Sequence, residues 1–324
     1  MKIFDNRVRN MNKILGCLVF LFTTTTVFAQ SPYTQYGFGD LSDQSVGFNK
    51  GMGGVGIAFN KGNEVNPMNP ASYASIDSVT MIFDGGLSGQ ITNFKEGERK
   101  LNAKSGGFDY VVGSFRLIKN VGVTFGVMPF SDINYSYTST ASLSNAELEM
   151  YSQYKGQGGL NQLFVGTGFR VFKPLTVGFN FSYLWGDIEK SAATVESSAI
   201  NVLYKEYTAS VSNYKLDFGV QYTQPMGKDL LTLGAVFSPG HKLGSDPEGR
   251  IVSTNSSLLK SDSTSYKIIN GLSIPTTIGV GIAYTHDQKV RVGADFKLQK
   301  WGSVDYPAFT NNNYAMCSGL LKDS

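Results

Sequence analysis

From Leu175 to Trp185 every second residue is apolar or aromatic: Leu175, Val177, Phe179, Phe181, Tyr183 and Trp185. Between them stand Thr176, Gly178, Asn180 and Ser182, with Gly186 following. These are small or polar, and Leu184 is the one exception. A repeat of two residues gives a β-strand one oily face and one that is not. The run covers about ten residues or more, the length that crosses a bilayer at a tilt. The same pattern recurs at least five times behind an export signal. Together these features predict an all-β protein, a closed antiparallel β-barrel in an outer membrane.

The export signal lies in the first residues. Two starts are available, Met1 and Met11, and basic residues (Lys2, Arg7, Arg9, Lys13) precede an apolar run from Ile14 to Phe28. Val27-Phe28-Ala29 supplies the residues a signal peptidase reads, so residues 1–29 are expected to be a signal peptide cleaved before Gln30. Ile14-Leu15-Gly16-Cys17 faintly resembles a lipoprotein cleavage box. Its apolar run follows the cysteine instead of preceding it, which argues against lipidation.

No other stretch approaches the ~18 uncharged apolar residues of a membrane helix, as expected where polar and apolar residues alternate. Gly 37, Tyr 17 and Phe 22, with only 16% charged residues, suit curved strands and aromatic girdles. Two histidines and a single mature cysteine, Cys317, leave no disulfide framework and no zinc cluster, so neither metal nor cofactor is expected. A net charge of +3 is too mild to imply nucleic acid. No carboxylate is matched with a histidine or nucleophile, so an enzyme is not expected.

Three regions make up the chain: the signal, an irregular segment and the strands. Residues 30–78 carry Gly51-Met52-Gly53-Gly54-Val55-Gly56 and the proline-broken Asn66-Pro67-Met68-Asn69-Pro70-Ala71, too many prolines for a regular ladder. This segment is expected to be an N-terminal hatch or plug. Residues 79–324 are expected to form the barrel, incomplete at its C-terminal end. Strand signals there cover Val79–Ile91, Phe108–Ile118, Val121–Phe130, Leu163–Val171, Leu175–Trp185, Leu216–Tyr222, Leu231–Phe237, Ile278–Tyr284 and Val290–Leu298. Lys119-Asn120, Lys173-Pro174, Met226 to Asp229 and His286-Asp287-Gln288 read as short turns. Ser131–Gly158, Glu189–Asn213 and Ser238–Ser273 read as long polar loops, the first with an extended hairpin. Short turns alternating with long loops are the asymmetry of bacterial barrels. About nine or ten strands and a polar tail, Thr310–Ser324, predict a fragment, because an open edge in lipid leaves unpaired backbone groups.

Several segments, in order, resemble the outer-membrane long-chain fatty-acid and aromatic-hydrocarbon transporters of the FadL/TodX type. Gly47–Phe59 followed by Asn69-Pro70-Ala71 is similar to that family's glycine-rich hatch and its Asn-Pro-Ala element. The Phe164–Glu189 and Tyr214–Lys242 hairpins, and Ser273-Ile274-Pro275 with Val290–Lys300 ending in Trp301, are similar to its barrel hairpins. Leu321 to Ser324 resembles the approach to a further strand. The resemblance implies a barrel of roughly fourteen strands with an internal hatch. It also implies passive uptake of hydrophobic compounds through a greasy lumen, with outer-membrane lipid and a hydrophobic small molecule as partners. The alternative is a non-transporting scaffold or accessory barrel that binds secreted proteins, as in type IX secretion, or other outer-membrane partners. A soluble exported β-sandwich or adhesin is the third reading; the aromatic belt on many strands argues against it.

Gly51-x-Gly53-x-x-Gly56 matches a dinucleotide fingerprint as a string. Ser42–Lys50 before it is polar, however, and a helix after it would run into Asn66-Pro67, so hatch turns are the better reading. Arg170, Asp217, Arg291, Asp295 and Lys297 fall on the inward alternation; a water-filled or salt-bridged lumen explains them more simply than a ladder for a ligand carboxylate. Met128 and Phe164 are the apolar lumen candidates. Tyr183, Trp185, Tyr284 and Trp301 fall at strand ends, where amphipathic rings anchor at the interface.

Overall fold

The structure, a computed structural model, describes residues 32–35, 37–42, 44–78, 80–96, 99–142, 149–196, 201–255, 257, 260–267, 271–287 and 289–304. The expected signal peptide with Cys17, the polar tail and Cys317 lie outside the described residues. Ser88–Gly107 falls in a compact unit separate from the larger one, which comprises Gln30–Leu87 and Phe108–Ser324.

Eleven strands longer than two residues are described: β1 (Met81–Glu96), β2 (Arg99–Ile118), β3 (Val121–Ser142), β4 (Glu149–Phe172), β5 (Leu175–Glu196), β6 (Asn201–Met226), β7 (Asp229–Ser238), β8 (Glu248–Asn255), β9 (Lys260–Lys267), β10 (Thr277–His286) and β11 (Val290–Gln299). They form one sheet in the order β11-β10-β7-β6-β5-β4-β3-β2-β1. The β8–β9 hairpin is added on the far half of β6, with Glu248 to Asn255 paired to Thr208 to Asn201. Each described strand pairing within the larger unit is antiparallel. The turns after β2, β4, β6 and β10 are tight. Asn120 and Asp287 take positive φ in the first and last of them, which short polar side chains tolerate.

Register explains the oily face. Val121, Phe169, Val177, Val220, Ala235, Val280 and Phe296 are successive cross-strand partners, a continuous apolar row along the wall. Phe179, Phe181, Phe218, Leu233, Ile278 and Ile282 extend it, and these six are exposed. In water such a patch would be far too large for a monomer; against hydrocarbon it is the expected outer surface.

The strands differ from expectation in length. Most of Ser131–Gly158 continues β3 and β4 as the extended hairpin expected there, most of Glu189–Asn213 continues β5 and β6 instead of looping out, and Ser238–Ser273 contains the β8–β9 hairpin. The reason is that the pattern inverts. On β5 the same alternation holds throughout, but beyond Tyr183 the inward residues Leu184, Ile188 and Ala192 are apolar, with Lys190 among them donating to the Gln35 and Gly37 carbonyls, and the outward Asp187 and Glu189 are polar. On β6, Tyr207, Ala209 and Val211 turn inward in the same way. These residues join Phe38, Phe130, Ile133, Tyr135, Leu160, Leu243 and Leu272 in a core under the far ends of the strands. That half of the sheet has the polarity of a protein in water, so a search for an outward oily face passes over it.

The sheet does not close. Among the described residues no pairing joins β11 to β1. Eleven strands longer than two residues are described, nine of them on the continuous path, where about nine or ten were expected in all.

The orientation predicts a contrast in substitution cost. Val280→Arg, on the oily row, is expected to destabilise the folded barrel in vesicles by ~2–4 kcal/mol, whereas Gln157→Arg, on the polar extension, should cost within ~1 kcal/mol. Denaturant titration in lipid vesicles measures both; equal costs would mean the faces are misassigned.

Candidate functional site

The inner face of the sheet is where the chain concentrates its unusual residues. One row in, the cross-strand partners are Gly122, Gly168, Gly178, Gly219, Val236, Gly279 and Lys297. The neighbouring row runs Arg170, Thr176, Gln221, Gly234, Gly281 and Asp295. Wherever these rows carry glycine the wall is one backbone thick, and the N-terminal segment rests directly on it. A Cβ on Gly168 would lie 2.6 Å from the Pro70 carbonyl oxygen and 2.8 Å from the Ala74 nitrogen. Side chains at Gly122, Gly178, Gly219 and Gly234 would overlap Tyr73, Pro70, Asn69 and Ile57 respectively. The glycines serve close approach of two backbones.

The segment is held by its own amides as well as by the wall. Asn69 caps the short 3₁₀ helix Pro70–Ser75, accepting from the Ala71 N–H at 3.0 Å while its Nδ2 donates to the Ile57 carbonyl at 2.7 Å. Asn66 Nδ2 donates to the Gly56 and Phe59 carbonyls at 2.7 and 2.8 Å. From the wall, Gln221 Nε2 donates to the Ile57 and Phe59 carbonyls at 2.9 and 3.1 Å. Asp295 Oδ2 accepts from the Gly56 and Ile57 N–H groups at 2.7 and 2.8 Å. Buried backbone groups without partners would cost about 1–3 kcal/mol each, so these bonds are what permit a loop to lie inside.

The sequence-derived inward residues divide by partner. Asp295 binds the segment through its Oδ2. Arg291 lies 3.6 Å from Glu64, with its guanidinium 5.2 and 5.4 Å from the ring centres of Phe48 and Phe59. Asp217 pairs with Lys215 and accepts from Ser238. Met128 and Phe164 are buried with Val46, Val65, Tyr110 and Val112. Arg170 stands at the end of its row, its Nε without a hydrogen-bond partner among the described residues. Lys297 lines a cavity of about 110 Å³ with Gln44, Met128, Gln162, Phe164 and Lys215.

In the glycine-rich stretch, the helix α1 (Gly47–Gly51) ends on the first glycine of the string, and Gly53 and Gly54 take φ of 70° and 83° in the turn after it. This is the reverse of the strand–glycine–helix order a dinucleotide site needs. Gly56 is packed so closely that a Cβ would lie 2.6 Å from both Asn49 Nδ2 and Met68 Sδ.

The aromatic candidates also separate. The Tyr183 hydroxyl shares a hydrogen bond with the Ser212 hydroxyl (2.7 Å), and its ring stacks on Trp185 at 6.0 Å, where the oily face of β5 ends. Tyr284 sits at the opposite end, its hydroxyl donating to Asp229 Oδ2 at 2.9 Å beside the β10–β11 turn. Trp301 follows β11, 6.4 Å from the Phe38 ring, and lines the same cavity as Lys297. Sequence reasoning did not pick out Gln221, Tyr73 or the glycine rows. The detectable signal was glycine at inward positions of successive strands; that these align into one row depends on register.

A protein-family model described as BamG matches residues 11–319. No curated protein and no solved structure matches the chain. The match carries no fatty-acid transporter assignment. With the all-β antiparallel sheet, it points to an outer-membrane β-barrel protein.

The seat predicts that Gly168→Val, which must push Pro70 and Ala74 off the wall, will expose residues 44–78 to added protease several-fold faster while β4 and β5 stay protected. Limited proteolysis read by mass spectrometry checks it. Unchanged cleavage would show that the segment does not depend on this contact.

Proposed function

The chain belongs to the BamG family, and from that premise we propose that it is an accessory barrel of outer-membrane protein assembly, without transport or catalysis of its own. The family's name associates it with complexes of the BAM type, and its partners would then be other outer-membrane proteins. The observation that carries this reading is the occupied inner face. A conduit for fatty acids or hydrocarbons needs a continuous apolar lumen, and ligand sites for molecules of that size measure about 300–1,000 Å³. Here the wall inside the oily belt presents glycine, Thr176, Asn180, Gln221 and Asp295, and residues 56–74 lie against it. Among the described residues, a cavity beside the segment measures about 110 Å³.

A wall fixed from within suits a scaffold. Its outer surface is then a constant shape for partners, greasy in the belt and polar on the long extensions of β4, β5 and β6. There the outward residues tie to one another across strands: Gln157 Nε2 donates to Glu189 at 2.7 Å and Ser210 Oγ to Asp187 at 2.7 Å. The resemblance to the fatty-acid transporters then reflects a shared kind of barrel with an internal segment, not a shared task.

Two measurements separate the readings. An affinity-tagged chain, solubilised from native outer membranes in mild detergent, is expected to co-purify with the assembly barrel of the same cell. Depleting the protein is expected to lower the folded amounts of other outer-membrane proteins several-fold, with uptake of labelled oleate unchanged. Lost oleate uptake with an intact outer-membrane proteome would overturn the assembly role and restore the transporter.

A further inference from the structure

The N-terminal segment does more than cover the middle of the wall: one short stretch of it touches strands at both ends of the sheet order. On one side, the Gly47 N–H donates to the Tyr110 hydroxyl on β2 at 2.6 Å, and that hydroxyl lies 3.4 Å from both oxygens of Asp84 on β1. Lys50 pairs with Asp109 on β2 and stands 5.5 Å from the Tyr110 ring centre. Gly47 itself is so near β1 that a Cβ would lie 2.7 Å from Asp84 Oδ2. On the other side, Phe48 of the same helical turn packs against Arg291 of β11 and meets Phe59 edge-on at 5.7 Å. Gly56 and Ile57, just beyond, give both N–H groups to Asp295 of β11.

From these contacts we infer that residues 47–57 act as an internal clasp that draws the β1–β2 edge and the β10–β11 edge toward each other as the barrel forms. The charge pattern supports it. Asp84, Asp109, Arg291 and Asp295 all belong to the strands flanking the opening. Asp109, Arg291 and Asp295 each contact this segment, and Asp84 contacts the tyrosine that holds it. The middle strands β3 to β6 meet residues 47–74 chiefly with glycine and the uncharged Asn180, Gln221 and Thr223, and their Tyr137, Gln162 and Lys190 bond to the earlier residues 35–44. Among the described residues, the charged partners of residues 47–57 thus stand on the edge strands, where two distant parts of the chain must be joined. Gly56 and Asp295 are 239 residues apart in sequence. Joining edges so far apart is the costly, slow step of a sheet with non-local contacts. A segment that binds both edges supplies favourable contacts before the wall is complete. A segment that merely fills a finished barrel would not.

Folding kinetics distinguish the two roles, because contacts present in the transition state change the folding rate and later ones the unfolding rate. For the full chain folding into vesicles, followed by the heat-modifiable band, Asp295→Ala and Asp109→Ala are each expected to slow folding roughly five- to tenfold, with unfolding changed less than about twofold. Asp295→Asn, which keeps one acceptor oxygen, is expected to recover most of the rate. If the change appears in the unfolding rate alone, the segment docks after the wall has formed and the clasp is overturned. Should Asp295→Ala give no folded band, Asp295→Asn and Asp109→Ala decide. Slower folding of Asp109→Ala with little change in unfolding supports the clasp, and a change confined to unfolding in both overturns it.

Discussion

The contact on which the rest of the structure depends is backbone against backbone. The chain from Ile57 to Ala74 lies on a wall stripped of side chains at Gly122, Gly168, Gly178, Gly219 and Gly234. An irregular loop can be buried only if its N–H and C=O groups find partners. Glycine lets the loop come close enough for Gln221 and Asp295 to reach its backbone, and Asn66 and Asn69 supply further bonds from within the segment. With the loop so held, the inner face of the glycine rows is occupied by residues 57–74, and the outer face is left to meet lipid.

The second constraint is solvent. Along β5 one alternation of side chains runs from end to end, yet its chemistry reverses near Tyr183 and Trp185. Below that level oil faces out and small or polar residues face in. Above it Leu184, Ile188 and Ala192 face in while Asp187 and Glu189 face out. A strand of fixed geometry thus spans two solvents, hydrocarbon and water, and the aromatic pair marks the boundary, as amphipathic rings do. The far core built on Phe38, Phe130 and Leu160 holds the extensions together where lipid no longer presses on the wall.

The sequence made one of these layers plain and hid the other. Outward rows such as Val177, Val220 and Val280 were legible, because hydrophobic alternation is a local property of each strand. So was the inward turn of Arg291 and Asp295. Their partners, Glu64 and the amides of Gly56 and Ile57, were not, since nothing local links residues so far apart. Leu184 stood out as an exception to the pattern when it was in fact the first residue of the inverted one. Glu189–Asn213 passed for a loop for the same reason: Ala192, Tyr207, Ala209 and Val211 face inward. The glycines were legible as inward residues but suggested curvature; only strand register lines Gly122, Gly168, Gly178 and Gly219 into a seat. The glycine-rich and Asn-Pro-Ala motifs suggested a transporter's hatch. They encode how a segment packs inside a wall, and that packing is compatible with more than one task.

Amide hydrogen exchange at Gly56 and Ile57, in the full chain reconstituted in lipid, tests the locked segment most directly. Bonded to Asp295 and covered by the wall, both amides should exchange as slowly as those of Phe179 to Ser182 in the middle of β5. Exchange as fast as at the exposed Lys119-Asn120 turn would mean that the segment is not fixed to the wall, and the occupied interior would have to be given up.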